Sequence, residues 1–209
     1  VDKILKQADN EAQHSEIYDL NKLHQLLLKQ RSIRGALEFN TPEPIIIFDD
    51  KQKIKNIRIR ERLTSHKIIE ECMLLANVSV AKYISKIKAN CLYRVHETPN
   101  LQKIEQLRSV LKLFSIELTG GTEPKTKDFS ELLTAISDRE DCNFLQKIIL
   151  RTQQQARYIA ENSGHFGLGY DNYTHFTSPI RRYPDLVVHR TLKYILDKQN
   201  DCGYHYTKT

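Results

Sequence analysis

A long helical pattern begins at Thr64 or Ser65, and it limits the chain to folds that bury a long helix along one side. Apolar residues recur in it at three- and four-residue spacing, which is typical of an amphipathic helix. They are Ile68, Ile69, Cys72, Leu75, Ala76, Val80, Tyr83, Ile84 and Ile87. Because such a helix must bury its apolar face against a second layer, we expect a largely helical body around this segment.

The rest of the chain predicts more helices and a few strands. The strands are expected at Ile45–Phe48 and Ile54–Ile59, joined as a hairpin, with a short strand at Cys91–Val95. Gly35 lies where the first long helix should stop, and residues 120–124 (GGTEP) form the clearest break. The other predicted helices are Ser15–Arg34, Leu101–Phe114, Asp128–Ile136, Cys142–Asn162 and Pro179–Leu196.

Composition indicates a soluble, globular protein. Of its 209 residues 40% are apolar and 28% charged, which is ordinary for that class. Apolar runs such as Ile45–Phe48 are too short to span a membrane, and no signal-peptide pattern follows Val1. The cysteines are scattered without zinc-site spacing, so we expect reduced thiols in a cytoplasmic protein. They are Cys72, Cys91, Cys142 and Cys202.

The charge is mildly basic, with a formal net charge of +6 and a pI near 9.0. This balance fits an anionic partner or simple solubility equally well. Six basic residues crowd the predicted hairpin and its end. In an extended strand Lys51, Lys53 and Lys55 would share one face, and Arg58, Arg60 and Arg62 the other. Whether this basic hairpin meets RNA or water stays open.

The run from His165 to Arg190, HFGLGYDNYTHFTSPIRRYPDLVVHR, concentrates the chain's chemistry. Ser178 can cap a helix whose first residue is Pro179. Arg181 and Arg182 would then lie in the first helical turn. Two guanidinium groups beside the positive end of a helix dipole can bind a phosphate. The run therefore indicates a phosphate-binding helix start.

This run resembles the signature of the RNB exoribonuclease family, the family of ribonuclease II and ribonuclease R, with details closer to the ribonuclease R branch. Three further stretches agree in the same order: RGALEF at Arg34–Phe39, IIEECMLLANVSVA at Ile68–Ala81 and LYRVHETP at Leu92–Pro99. The resemblance covers nearly the whole chain. It implies an α+β fold, mainly α-helical with a β-hairpin, that forms the C-terminal part of an RNB catalytic domain over residues 1–209, truncated at both ends.

Family members degrade single-stranded RNA processively from its 3′ end and release nucleoside 5′-monophosphates, using Mg²⁺ held by aspartates. That Asp-rich motif and the flanking cold-shock and S1 domains lie outside this chain. Asp49-Asp50 are expected in a turn, and Asp138, Glu140 and Asp141 in an interhelical connection, so neither group offers a metal site. The resemblance thus implies a fragment that is inactive alone, from a monomeric, cytoplasmic enzyme with no membrane or small-molecule partner.

By the same resemblance Arg181 contacts the scissile phosphate, where phosphoryl chemistry needs a fixed positive charge. Arg182 either contacts the next phosphate or pairs with Asp185. Glu71 matches a glutamate near the 3′-terminal nucleotide, where it could accept hydrogen bonds from ribose hydroxyls. Glu70 and Glu71 cannot share a helix face, so only one of them is expected to act.

Phe39 resembles the aromatic residue that stacks on a terminal base, although a lone Phe after a helix is more often packed in a core. The aromatic and polar side chains before the arginines would line an RNA channel, with several of them needed as anchors. Thr177 and Ser178 are expected to serve as caps and phosphate donors. The channel candidates are His165, Phe166, Tyr173, His175 and Phe176.

Two other functions stay open. A non-catalytic RNA-binding module would keep the basic channel without the metal site, and the sequence ahead of Val1 would decide between it and the enzyme. A helical interaction protein with incidental basic charge would explain the amphipathic helices but not the surroundings of Arg181. If the missing half of the domain normally covers apolar surface, this fragment should self-associate or be marginally stable.

Overall fold

The computed structural model describes residues 1–6, 15–39 and 43–197, and the fold is α+β. Short antiparallel strands pair as β1–β2 and β3–β4. The helices are α1 Asp2–Lys6, α2 Ser15–Arg34, α3 Thr64–Lys86, α4 Leu101–Leu113, α5 Thr126–Ala135, α6 Cys142–Thr152 and α7 Tyr183–Leu196. The strands are β1 Pro44–Phe48, β2 Ile54–Ile59, β3 Tyr93–Val95 and β4 Arg157–Ile159.

The two largest of three apolar clusters among the described residues hold the body together. Helices α4, α5 and α6 bury the larger one, which includes Leu107, Phe129 and Leu145. The second joins α3, β3 and α7 through residues such as Ile84 and Val188, both fully buried. Side chains at such positions have left water completely, which is the main contribution to folding free energy. The long helix predicted from periodicity therefore lies against the segment that carries the paired arginines.

Most predicted helices are confirmed to within two residues at each end. The prediction of a helix continuing from Cys142 to Asn162 is wrong, because α6 ends at Thr152. Residues 157–159 instead form β4, which pairs antiparallel with β3 from Tyr93↔Ile159 to Val95↔Arg157. An ion pair between Arg157 and Glu97 (2.9 Å) lies beside this pairing. Pairing with a strand more than 60 residues earlier leaves no periodic signal in the local sequence.

The predicted β1–β2 hairpin is confirmed, but the expected basic faces are not. Lys51 and Lys53 lie in the connecting turn, where Asp49 accepts their backbone N–H groups at 2.9 and 2.8 Å. Lys55 is the extra residue of a β-bulge opposite the Ile47–Phe48 step. The turn thus separates the lysines from the arginines, and Asp49 has the local role expected of an aspartate in a turn.

Specific contacts fix the N-terminal end of α3 and the C-terminal end of α2. Asp2 of α1 caps α3, because its carboxylate accepts the N–H groups of Thr64 (2.7 Å) and Ser65 (3.3 Å). Gly35 ends α2 as predicted and takes a φ of +72° that glycine adopts without strain.

Among the described residues, no helix is long and apolar enough to cross a membrane. Cys202 and the tail from Asp201 to Thr209 lie outside the described residues.

Candidate RNA-binding site

Arg181 lies on a tight turn that precedes the last helix. The N–H groups of Arg181 and Arg182 both donate to the Ser178 carbonyl oxygen, at 3.3 and 3.0 Å. Helix α7 begins only at Tyr183, with Arg182 as its N-cap residue and Pro184 in its first turn. The predictions that Ser178 caps the helix, that Pro179 starts it and that both arginines lie in its first turn are therefore wrong. Arg181 is exposed on the turn.

A buried aspartate fixes this turn. Asp185 has no exposed surface, and its Oδ1 accepts hydrogen bonds from Ser178 N (2.8 Å) and Arg182 Nη2 (2.7 Å). Of the two roles open for Arg182, the structure shows the ion pair with Asp185. Because one carboxylate oxygen joins both ends of the turn, the backbone that presents Arg181 is held rigid.

The segment before the turn, which includes Tyr173 and Phe176, packs against α3 and α7. Asn77 of α3 donates to the Tyr173 hydroxyl at 3.1 Å and accepts the N–H of Phe176 at 2.9 Å. On the other side the His189 ring stacks on Phe176, with centroids 4.0 Å apart, and its Nε2 lies 2.8 Å from the Phe176 carbonyl oxygen. Tyr173 is buried against Leu74. Its burial makes it an anchor for the segment rather than a residue that lines an open channel.

Four rings form a continuous row that includes two residues of this segment. His96, His165, Tyr173 and His175 meet edge to face, with successive centroid distances of 5.1, 5.2 and 5.7 Å. Burial, reinforced by nearby His96, lowers the pKa of His165 to about 3. Burial and the adjacent Arg182 guanidinium lower the pKa of His175 to about 4. Both imidazoles are therefore neutral near pH 7 and can donate and accept hydrogen bonds.

The histidine row is tied to neighbouring backbone and side chains. His175 Nδ1 lies 2.6 Å from the Tyr158 hydroxyl, which brings β4 to the row. His165 Nδ1 accepts the N–H of Leu168 at 3.2 Å, and His96 Nδ1 accepts that of Gly167 at 2.9 Å. These bonds use the ring nitrogens in the way expected of neutral imidazoles and leave the rings as rigid spacers.

Glu71 is buried, 3% exposed, and forms an ion pair with Arg31 of α2 at 2.6 Å. The same guanidinium nitrogen lies 3.2 Å from Glu70, which also pairs with Arg62 at 2.7 Å. The two glutamates lie on different parts of the helix surface, as predicted, yet Arg31 reaches both. The result is a chain of alternating charges, Arg62–Glu70–Arg31–Glu71, with its buried end at the glutamate chosen from the sequence.

Arg31 and Arg34 were not predicted as site residues, because basic residues in the last turn of a helix are common for electrostatic reasons. Arg34 donates from Nε to the Leu168 carbonyl oxygen at 2.7 Å, and its guanidinium lies 3.8 Å from the Tyr170 ring centroid. Tyr170 in turn stacks on Tyr173, 6.0 Å away. The sequence did contain a sign of the role of Arg34, because Arg34 is the first residue of the RGALEF motif.

Phe39 and Thr177 lie at the margins of this region. Phe39 is half-buried against the larger apolar cluster and lines a cavity of about 900 Å³, together with Lys103, Arg151 and His165. Thr177 is partly buried, and its hydroxyl has no hydrogen-bond partner among the described residues. A half-buried aromatic at a cavity with cationic lining fits both predicted roles of Phe39, core packing and base stacking.

The described residues do not fit a catalytic Mg²⁺ site. Among them no three His, Cys, Asp or Glu side chains come close enough together to hold a metal ion. Asp141, from the second acidic group, pairs with Arg139 at 2.8 Å, and Asp49 binds the hairpin turn. Two-metal hydrolysis needs several converging carboxylates, and this part of the chain does not bring them together.

Comparison with known proteins gives consistent matches. A model of the RNB domain matches residues 1–198. Ribonuclease R of Escherichia coli (strain K12) is 44% identical over 197 residues, which are 90% of this chain and 24% of that protein. The chain therefore spans about a quarter of the length of the curated relatives it matches.

Two solved structures share the fold. One is Mycoplasma genitalium RNase R in complex with ribose-methylated single-stranded RNA, with a TM-score of 0.84, 28% identity and coverage of 93% of this chain and 31% of that one. The other is yeast Ssd1, described as a pseudonuclease, with a TM-score of 0.60, 26% identity and coverage of 71% and 18%.

Proposed function

Because the chain belongs to the RNB domain family, we propose that it is part of a 3′→5′ exoribonuclease that hydrolyses single-stranded RNA to nucleoside 5′-monophosphates with Mg²⁺. Residues 1–209 supply RNA contacts and a phosphate-stabilising arginine, while the Mg²⁺ ligands come from elsewhere in the protein. The parent enzyme acts as a cytoplasmic monomer, and this part alone does not cut RNA.

One observation carries the proposal: Arg181 is exposed on a turn that the buried Asp185–Arg182 pair makes rigid. A rigid, exposed guanidinium suits phosphoryl chemistry, because charge that is already in position costs no reorganisation when the transition state forms. Ser178, the first residue of the turn, offers a hydroxyl group to a neighbouring phosphate. Thr177 before it has a buried hydroxyl without a hydrogen-bond partner among the described residues, which would have to turn outward to do the same. Arg182 acts by positioning Arg181 rather than by contacting phosphate.

The 3′-terminal nucleotide would lie between Phe39 and Glu71. Phe39 stacks on the base without regard to sequence, as an enzyme that processes any RNA requires. Glu71 is the acceptor for ribose hydroxyl groups in this proposal. Because it is 3% exposed and paired with Arg31, RNA binding would have to open its carboxylate to the ribose. His165 and His175 contribute neutral hydrogen-bonding groups beside the path between these residues and Arg181.

A first experiment would incubate residues 1–209 with Mg²⁺ and a 5′-labelled single-stranded RNA, following binding and product length together. We expect binding without shortening, weakened about tenfold by Arg181→Ala, which corresponds to about 1.4 kcal/mol. Arg139→Ala is the matched control, since it removes the same charge from the α5–α6 connection. Equal weakening by both variants would contradict a specific phosphate contact, and 3′ shortening would reveal a metal site within these residues.

Ribose recognition by Glu71 needs a separate experiment in the whole protein. RNA would be compared with the same strand ending in a 2′-deoxynucleotide, using Glu71→Gln and, as the matched control, Glu70→Gln. We expect Glu71→Gln to reduce about tenfold the ratio of affinities for the ribonucleotide end over the 2′-deoxynucleotide end, since one charge-assisted hydrogen bond is lost. A preference that Glu71→Gln leaves intact would remove Glu71 from the ribose site.

A non-catalytic RNA-binding module is the second candidate. Its support is the similarity to Ssd1, a pseudonuclease that shares this fold. The two candidates differ in the whole protein, which shortens RNA from its 3′ end in the presence of Mg²⁺ only if it is an enzyme. Binding that responds to Arg181→Ala without any shortening would favour the module.

A further inference from the structure

The β1–β2 hairpin has one continuous apolar face that lies open to solvent. Cross-strand partners in an antiparallel pair point to the same side of the sheet. The partners on this side are Pro44↔Ile59, Ile46↔Ile57 and Phe48↔Ile54. Their five large side chains are between 47% and 71% exposed. We call these six residues the apolar hairpin face.

The opposite side of the hairpin has a different character. Ile45 lies opposite Arg58, and Ile47 lies opposite Asn56. A strand pair with one apolar and one mixed side is the pattern of a sheet that is covered on one side and solvated on the other. Within the part of the chain that the structure describes, no third strand and no layer covers the apolar side.

An isolated two-stranded hairpin is marginal in water and needs a further strand or a packed layer to be stable. RNA does not suit the apolar hairpin face, which offers phosphates no cation. A second copy of the same face is disfavoured by charge, because residues 49–58 contain four Lys or Arg against two Asp. With no covering layer among the described residues, the rest of a longer polypeptide is the large source of an apolar layer, since this chain covers 24% of one relative and 31% of one solved neighbour.

We infer that the apolar hairpin face is the surface on which the rest of the protein, beyond residues 1–209, packs through an apolar layer of its own. The inference goes beyond the nuclease activity and rests only on the length of the relatives and on this surface. It also bears on the proposed site. Arg62 follows β2 and pairs with Glu70 at 2.7 Å. The hairpin therefore leads into the outer end of the charge chain whose buried end is Glu71.

Two adjacent residues provide a matched test. Ile46 and Ile45 lie side by side on β1 with nearly equal exposure, 47% and 45%, but on opposite faces. In the whole protein, amide hydrogen exchange in β1 and β2 would be measured for Ile46→Lys and Ile45→Lys. We expect slow exchange in the unchanged protein, at least hundredfold faster exchange with Ile46→Lys, and little change with Ile45→Lys.

A photocrosslinking amino acid in place of Ile57 identifies the occupant even if Ile46→Lys prevents folding. The expected product has the mass of one polypeptide, with the crosslink joining Ile57 to a peptide outside residues 1–209. A crosslink between two copies would overturn the inference in favour of self-association. Fast exchange in the unchanged hairpin, or equal effects of the two lysine variants, would overturn it as well. None of these readouts depends on RNA cleavage, so they separate this inference from the nuclease assignment.

Discussion

Arg182 donates from Nη2 to Asp185 Oδ1 at 2.7 Å, and the same oxygen accepts the backbone N–H of Ser178 at 2.8 Å. The aspartate therefore closes the turn from Ser178 to Arg182 around a buried charge. Arg181, between the two tied residues, is the exposed member. The geometry separates two adjacent arginines into one that holds the turn and one that the turn presents.

Removing the Asp185 carboxylate should destabilise the protein strongly. Asp185→Ala leaves Arg182 without its partner in a mostly buried position, and breaking such a pair typically costs about 3–5 kcal/mol. Asp185→Asn keeps an oxygen for the Ser178 N–H and should cost less. The free energy of unfolding, from urea titration, would measure both. Equal losses for the two variants would show that the neutral amide oxygen recovers nothing, so that the lost charge of Asp185 accounts for the whole effect.

The same aspartate explains one failure of the sequence-based prediction. Ser178-Pro179 carries the local signature of a helix start, and Pro184 carries a competing one five residues later. Asp185 determines which of the two helix starts is used, because its carboxylate accepts the Ser178 N–H and closes a separate turn before α7. That contact forms at a fully buried carboxylate, and burial is a property that local propensity does not describe.

Periodicity was sufficient where an element's own apolar face decides its structure. The α3 and α4 helices begin at the predicted Thr64 and Leu101, because each buries a regular stripe. Strand β4 was missed because a three-residue strand depends on its partner β3. Within the site, Glu71 was chosen by motif, while Arg31, which holds it, lies 40 residues earlier and has no marked local pattern.

Asn77 should be important for the stability of the site, because it links α3 to the segment before the turn. Asn77→Ala removes the acceptor of the Phe176 N–H and the donor to Tyr173, and an unsatisfied buried group costs about 1–3 kcal/mol. Tyr173→Phe, the partial control, removes only one of these bonds and should cost less. Chemical unfolding would compare them, and a larger loss for Tyr173→Phe would contradict the assigned role of Asn77.

Gly35 and Gly121 form a matched pair for backbone strain. Both have positive φ, +72° and +57°. A Cβ on Gly35 would lie 2.7 Å from Cα of Lys127, whereas one on Gly121 meets nothing within 4 Å. Gly121→Ala should therefore cost about 1 kcal/mol for the left-handed backbone alone. Gly35→Ala should cost about 1–3 kcal/mol more, since helix α5 must move. Similar decreases in melting temperature for the two variants would show that helix α5 moves aside at little cost in free energy.

Acid should destabilise the protein through His165 and His175. The pKa of His165 is about 3 and that of His175 about 4 in the folded chain, both lowered chiefly by burial from an ordinary value of 6.5. Between about pH 4 and pH 6.5 the unfolded chain therefore binds more protons than the folded one, so stability is complete above pH 6.5 and falls as the pH decreases. Each such proton contributes about 1.4 kcal/mol per pH unit to the slope.

The contribution of His165 can be isolated by substitution. His165→Asn keeps a short polar side chain near the Leu168 N–H but removes the titrating ring, so the slope of unfolding free energy against pH should decrease by about one proton between pH 4 and 6. His66→Asn, which changes an exposed histidine on α3, is the matched control. Urea titrations at several pH values would measure the slopes. An unchanged slope in His165→Asn would mean that His165 is already protonated in the folded protein, which would contradict the neutral state assigned to it in the histidine row.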